Sequence, residues 1–230
     1  MKYLAILLVV FTTICSVHSQ TYEIGGFLGG SNYIGDVGET NYIAPSNLAV
    51  GGVFKWNRSE RHAFRITVIR SSISGDDADA SEPRRIQRGY SFKNTITEVS
   101  LGVEYTFWEF NMYSGRPVST PYLYTGLTYF RYQALYKRPS GIIVKYDDVG
   151  SVAIPMVIGY KATVGTKMVA AFEIGARYTF TDDLDGSSPV KGLKDEPALR
   201  FGNQNSNDWY VFSGVTLTFT FGRKPCYCNF

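Results

Sequence analysis

Alternate residues of the segment 208–221 separate into two faces. Trp209, Val211, Ser213, Val215, Leu217, Phe219 and Phe221 form one, nearly all apolar; Tyr210, Phe212, Gly214, Thr216, Thr218 and Thr220 form the other, polar or small toward its end. A period of two is that of a β-strand. A strand of about ten residues with an apolar face and aromatic ends suits a bilayer-crossing strand of a barrel.

The same alternation recurs upstream. Strands are expected over 22–33, 48–56, 62–74, 91–108, 120–135, 151–163 and 168–180. In the second, Leu48, Val50, Phe54 and Trp56 oppose Ala49, Val53 and Lys55; in the fourth, Val99, Leu101, Val103, Tyr105 and Phe107 oppose Glu98, Ser100, Glu104 and Thr106. The fifth is aromatic on both faces, so its pattern does not fix an orientation. Pro155 inside the sixth predicts a bulge or irregularity, because proline cannot donate to a ladder.

Between the strands, 57–60, 111–117 and 164–167 read as short connections. The segments 38–46, 75–89, 136–148 and 181–207 read as longer loops, with 75–89 solvated by its acids and bases. Long and short alternate, as they do in outer-membrane barrels with short periplasmic turns and longer external loops. The expected fold is therefore all-β, an eight-stranded antiparallel transmembrane up-and-down β-barrel over 20–222. Both termini are expected in the periplasm and the barrel in the cell outer membrane.

The first residues carry Lys2, an apolar run over 3–10 and the small-residue pattern Val17-His18-Ser19. This predicts a signal peptide over 1–19, with Cys15 discarded in it. No later stretch approaches the roughly 18 apolar residues of a spanning helix, so a membrane-embedded mature chain must cross as a closed barrel. The chain is rich in glycine and aromatics, with 23 Gly, 17 Tyr and 15 Phe, and its formal charge of +3 falls by one without Lys2. That charge is too small to point to nucleic acid; lipid is the expected surroundings.

The inward faces collect Glu23, Glu98, Glu104 and Glu173 against Lys55, Arg65, Lys161 and Arg177. An eight-stranded barrel is only wide enough inside for side chains, where an unpaired charge costs several kcal/mol. Glu98, Glu104, Glu173, Arg65 and Arg177 are therefore expected to interlock in an ion-pair network that closes the lumen. Glu23, Lys55 and Lys161 lie close to strand ends, where rim and network are both open to them.

No catalytic, metal or cofactor site is expected. His62, the histidine left after processing, sits beside a tight turn on the periplasmic side rather than at the outer surface. Asp182, Asp183 and Asp185 resemble part of a calcium loop but lack its full spacing and closing Glu, and read better as a turn opening an external loop. The segment 223–230 extends past the last strand as a periplasmic tail. Its Cys226 and Cys228 stand in an oxidising compartment; they close a small strained ring or bond to a partner. Arg223, Lys224, Cys226, Tyr227, Cys228 and Phe230 are the candidate partner-binding residues.

Three motifs carry a family resemblance. Gly29-Gly30-Ser31-Asn32-Tyr33-Ile34-Gly35-Asp36 follows the first strand, 173–185 reads Glu-Ile-Gly-Ala-Arg-Tyr-Thr-Phe-Thr-Asp-Asp-Leu-Asp, and Asp208-Trp209-Tyr210 opens the last strand. In these the chain resembles the PorG-like outer-membrane barrels of Bacteroidota. The resemblance implies a non-catalytic component of the type IX secretion system, and of gliding where present. Its implied partners are the periplasmic ring lipoprotein and the associated ring subunit, which it would anchor to the outer membrane. The alternative is a general surface barrel binding an external ligand or cell through its long loops. A soluble lipocalin-like barrel would invert the side-chain pattern.

Overall fold

The computed structural model describes residues 21–138, 141–203 and 205–222. The expected leader over 1–19 and tail over 223–230 lie outside them. Eight strands close into one ring in sequence order: β1 Thr21–Ile34, β2 Asn47–Asn57, β3 His62–Asp76, β4 Ser91–Thr106, β5 Ser119–Lys137, β6 Ile143–Val164, β7 Met168–Thr179 and β8 Trp209–Gly222. Every neighbouring pair is antiparallel, and β1 closes on β8 from Thr21 opposite Gly222 to Ile34 opposite Trp209.

The period-two pattern sets the inside and the outside. Ile24, Leu28, Val99, Leu101, Leu127, Phe172, Val215 and Leu217 point out and are exposed. Glu23, Phe27, Glu98, Thr128, Phe130, Glu173 and Thr218 point in and are buried. Aromatic clusters flank the apolar belt. At the lower end Tyr22 packs on Phe54 and Phe221, with ring centroids 5.9 and 5.6 Å apart, and Trp56 packs on Phe64 at 5.3 Å. At the upper end Tyr178 meets Trp209 at 4.9 Å and Phe180 at 5.3 Å. A closed ring with an apolar, aromatic-girdled outside and a polar inside is a membrane-spanning barrel of the outer-membrane type.

Four local expectations are corrected. The segment 136–148 is not a loop, because β6 begins at Ile143 and pairs with β5 up to Lys137 opposite Ile143. The hairpin continues above the belt, where both faces meet water or loops and alternation is lost. At Pro155 the expected irregularity is an interruption and not a bulge: β5–β6 pairing stops after Thr125 opposite Met156 and resumes in the same register at Thr128 opposite Ala153, while the bulge lies at Ala134/Leu135. The segment 75–89 is not simply solvated; it holds a 3₁₀ turn, Asp77–Asp79, and a short helix, α1 Pro83–Arg88, with Asp77 fully buried. Finally, long and short connections do not alternate strictly, because the lower 107–118 connection folds under the barrel.

β5 takes its orientation from the ring. Tyr122, Tyr124, Phe130 and Tyr132 face in, and Leu123, Leu127 and Tyr129 face out. Inner side chains of this size need room, which Gly102 and Gly126 provide where they pair across β4 and β5. A Cβ at Gly126 would stand 2.5 Å from Gly102 Cα. Gly126→Val is therefore expected to cost about 1–3 kcal/mol by overpacking and to reduce the compact band seen on unboiled gels. Gly52→Ala, whose Cβ meets nothing nearer than 3.9 Å, leaves that band unchanged.

Candidate functional site: the filled lumen and its two ends

All eight strands contribute to the lumen. Arg65 on β3 reaches across to Glu173 on β7 in a two-pronged pair, Nη1 to Oε2 at 2.7 Å and Nη2 to Oε1 at 2.8 Å. Two parallel N–H donors match the two carboxylate oxygens, the strongest geometry for such a pair. Tyr122 on β5 donates to Glu173 Oε2 at 2.5 Å, and Arg65 Nε donates to Thr67 at 3.0 Å.

Glu104 on β4 lies below. Lys161 Nζ on β6 donates to its Oε1 at 2.7 Å, Lys55 Nζ on β2 stands 2.7 Å from Oε2, and Arg65 is 3.7 Å away. Glu98, six residues earlier on β4 and so higher in the lumen, accepts from Arg177 Nη2 on β7 at 2.9 Å and from the Tyr210 hydroxyl on β8 at 2.8 Å. Glu23 on β1 accepts from Asn57 at 2.9 Å and Thr218 at 2.5 Å. Ring faces take up cationic charge that carboxylates leave free: Arg177 lies 4.6 Å over Phe212 and Arg65 4.9 Å over Tyr124.

The structure thus brings Arg65, Glu104 and Glu173 together in one group and Glu98 with Arg177 in a second, with no ion pair between the two groups among the described residues. It buries Glu23, Lys55 and Lys161 with them, none more than 2 % exposed. Above this network Phe130, Tyr132, Ile69, Ile96, Ala153 and Phe212 form an apolar layer. The lower mouth is closed by Phe110 from the 107–118 connection, held by its N–H on Glu60 O at 3.0 Å and lying 4.6 Å from Lys161 Nζ.

The upper mouth is closed by a feature that sequence reading placed elsewhere. Asp183, Leu184, Asp185 and Ser187, expected as an exposed turn, are fully buried inside the rim. Asn94 Nδ2 donates to Leu184 O at 2.7 Å, Tyr90 donates to Asp185 O at 2.6 Å, and Leu184 N donates to Asp208 Oδ2 at 2.9 Å. Tyr33 joins Asp185 and Asp208. Beside it Asp77 pairs two-pronged with Arg88 at 2.7 Å. Burial pushes Asp77 upward, but Arg88 and the N–H groups of Gly38 and Tyr90 hold it below the usual carboxylate range.

The only sequence sign of this plug is five acids, Asp36, Asp182, Asp183, Asp185 and Asp208, next to two strand ends that must converge in a closed ring. Among the described residues no group of three or more His, Cys, Asp or Glu is arranged to hold a metal ion. His62 is exposed on the lower rim, with its Nδ1 3.3 Å from the Ser59 hydroxyl and its ring against Tyr105. The candidate partner-binding residues of the tail, Arg223 through Phe230, lie outside the described residues.

A family described as "Domain of unknown function (DUF6089)" matches residues 1–230. No curated protein matches the sequence. Among solved structures, the chain is similar to the N-terminal β-barrel domain of Pseudomonas aeruginosa OprF, at 13 % identity and TM-score 0.46, over 89 % of this chain and all of that one. It is similar to a major outer membrane protein of Thermus thermophilus, at 14 % identity and TM-score 0.47, with 89 % and 100 % coverage. It is also similar to the attachment invasion locus protein Ail of Yersinia pestis, at 7 % and 0.47 with the same coverage.

Glu104→Gln leaves Lys55 and Lys161 with no other carboxylate at ion-pair distance among the described residues, and is expected to cost about 3–5 kcal/mol in urea unfolding of the detergent-folded barrel. Glu98→Gln, which strips one arginine, costs less. In planar bilayers the purified wild type is expected to give no ohmic conductance steps, and regular steps would contradict the packed lumen.

Proposed function

The chain belongs to the DUF6089 family, and we propose that it is a non-catalytic outer-membrane component of the type IX protein secretion system. In this reading the barrel anchors the periplasmic ring lipoprotein and its associated ring subunit to the outer membrane. The observation that carries it is the lumen, crossed by Arg65–Glu173 and closed at both ends by Phe110 and the 181–208 segment. A barrel so filled has no conduit to offer, and its value to a secretion machine is as a rigid membrane fixture. Supporting the specific machine are the motifs at 29–36, 173–185 and 208–210 that resemble PorG-like barrels.

In this reading the ring contact lies at the lower end, on the 58–61, 107–118 and 165–167 connections, together with the tail that follows β8 in sequence. Trp108 stands more than half exposed there, and Arg61 pairs with Glu109 at 3.4 Å on the surface.

A second reading rests on the opposite end. An open vestibule of about 960 Å³ at the upper rim is lined by Asn32, Glu39, Asn41, Asp76, Lys93 and Lys145, among others. Its polar walls suit an external ligand of a general surface barrel.

The discriminating experiment is mild-detergent affinity purification of the tagged chain from its own outer membrane, with mass spectrometry of what accompanies it. Under the anchoring reading the ring lipoprotein and its partner co-purify and are lost when 223–230 is deleted. Recovery of the barrel alone, with cargo export intact in a deletion strain, overturns it in favour of the surface-barrel reading.

A further inference from the structure

Tyr33, at the upper end of β1, places one phenolic oxygen between two carboxylates. It is 2.8 Å from Asp185 Oδ2 and in a short hydrogen bond with Asp208 Oδ1. The remaining oxygens of that pair are taken by backbone donors: Asp185 Oδ1 accepts from Ser187 N at 2.8 Å, and Asp208 Oδ2 from Leu184 N at 2.9 Å. The Asp36 N–H points at the phenol oxygen from 3.3 Å. A phenol has one proton, and an ionised carboxylate only accepts. Tyr33 therefore satisfies one carboxylate, and the other completes the bridge only as a carboxylic acid that donates to the phenol oxygen.

Asp183 states the same deficit differently. It is fully buried, neither carboxylate oxygen is in a hydrogen bond of normal geometry, and the Tyr132 hydroxyl is the one neighbour that favours its charged form. The groups around this cluster offer little positive charge. Asp36 comes from the 35–46 loop, Asp182 from the plug itself, Tyr132 from β5, Tyr146 from β6 and Tyr90 from the end of the α1 loop. Arg88 faces Asp36 and Asp185 but is committed to Asp77, and Lys137 lies over the Tyr90 ring at 5.4 Å.

We propose that the 181–208 segment is a proton-locked plug, held in the outer mouth by the Asp185–Tyr33–Asp208 bridge and a neutral Asp183, and released when these acids lose their protons. Burial, then repulsion from Asp185 and Asp182, pushes Asp183 up to about 8; burial, then Asp185 and Asp36, pushes Asp182 up to about 7. Burial and the Asp185 charge raise Asp208 well above its ordinary value.

The sign follows from linkage. The seated plug binds more protons than the released one, so its stability is full below the ordinary carboxylate range, about pH 4, and is lost as pH rises toward the raised values. Release uncovers the outer mouth down to the Phe130 and Tyr210 layer. The ion-pair network beneath stays in place, so the device gates a vestibule and not a pore. It lies at the end of the barrel away from the proposed ring contact, and the two readings stand or fall separately.

The test is hydrogen–deuterium exchange on the full-length protein in detergent micelles with a chelator present, at about pH 5.5 and about pH 8.5, corrected for the intrinsic exchange rate. Peptides spanning 182–187 are expected to lose about tenfold or more in protection at the higher pH, while strand peptides of β3 and β4 do not change. The double variant Asp183→Asn with Asp208→Asn carries neutral amides at both positions and is expected to hold its protection at both pH values. Strand peptides report whether that variant is folded. The wild-type profile over a pH series is the second readout and needs no variant. Protection of 182–187 that is flat with pH in the wild type overturns the proposal, as does a folded double variant that keeps the full wild-type response.

Discussion

Everything in this barrel depends on charges that have only one another for company. Arg65 and Glu173 stand on strands at opposite sides of the ring, and their two-pronged contact exists only when the ring is closed. Closure in turn is possible only because each inward charge meets an opposite one or, at Glu23, the donors Asn57 and Thr218, since an isolated buried ion would cost several kcal/mol. A one-residue slip of any strand would turn its charged residues into lipid and its apolar residues into the lumen. Register, closure and charge pairing are thus one constraint seen at three scales.

The two halves of the interior solve the problem of buried polarity with different chemistry. In the lower half the positive partners are arginine and lysine, and Lys55, Lys161 and Arg65 gather around Glu104 and Glu173. In the upper mouth acids outnumber the cations near them, and Arg88 serves Asp77 first. Neutrality there is left to protons and to backbone donors such as Leu184 N and Ser187 N. A fixed lower interior and a titratable upper cap give the barrel one end built to hold and one built to respond. The proposed anchoring role draws on the first, and the vestibule above draws on the second.

How much of this was legible in the sequence depends on how local the governing physics is. Alternation along β1, β2, β4, β7 and β8 reports which face meets lipid, and the strand positions, the eightfold count and the inward acids and bases all follow from it. The segment 136–148 was illegible because above the belt no apolar solvent sorts one face from the other, so a paired hairpin reads as a loop. β5 was ambiguous for a related reason: tyrosine and phenylalanine suit both a lipid girdle and a crowded lumen, and only its place between β4 and β6 assigns Tyr122 and Tyr124 inward.

The sequence by itself determined the barrel, its membrane-facing belt and the identity of the charges inside, because period-two patterning and the cost of an exposed or unpaired group act within a few residues. Tertiary structure alone decided who pairs with whom, and that Asp183 and Asp185 turn inward instead of facing water, Asp185 meeting Tyr33, which also bonds Asp208. Those partners are separated by up to 175 positions along the chain. Only ring closure, which brings β1 beside β8 and folds 181–208 back over the mouth they share, places them within reach of a single proton.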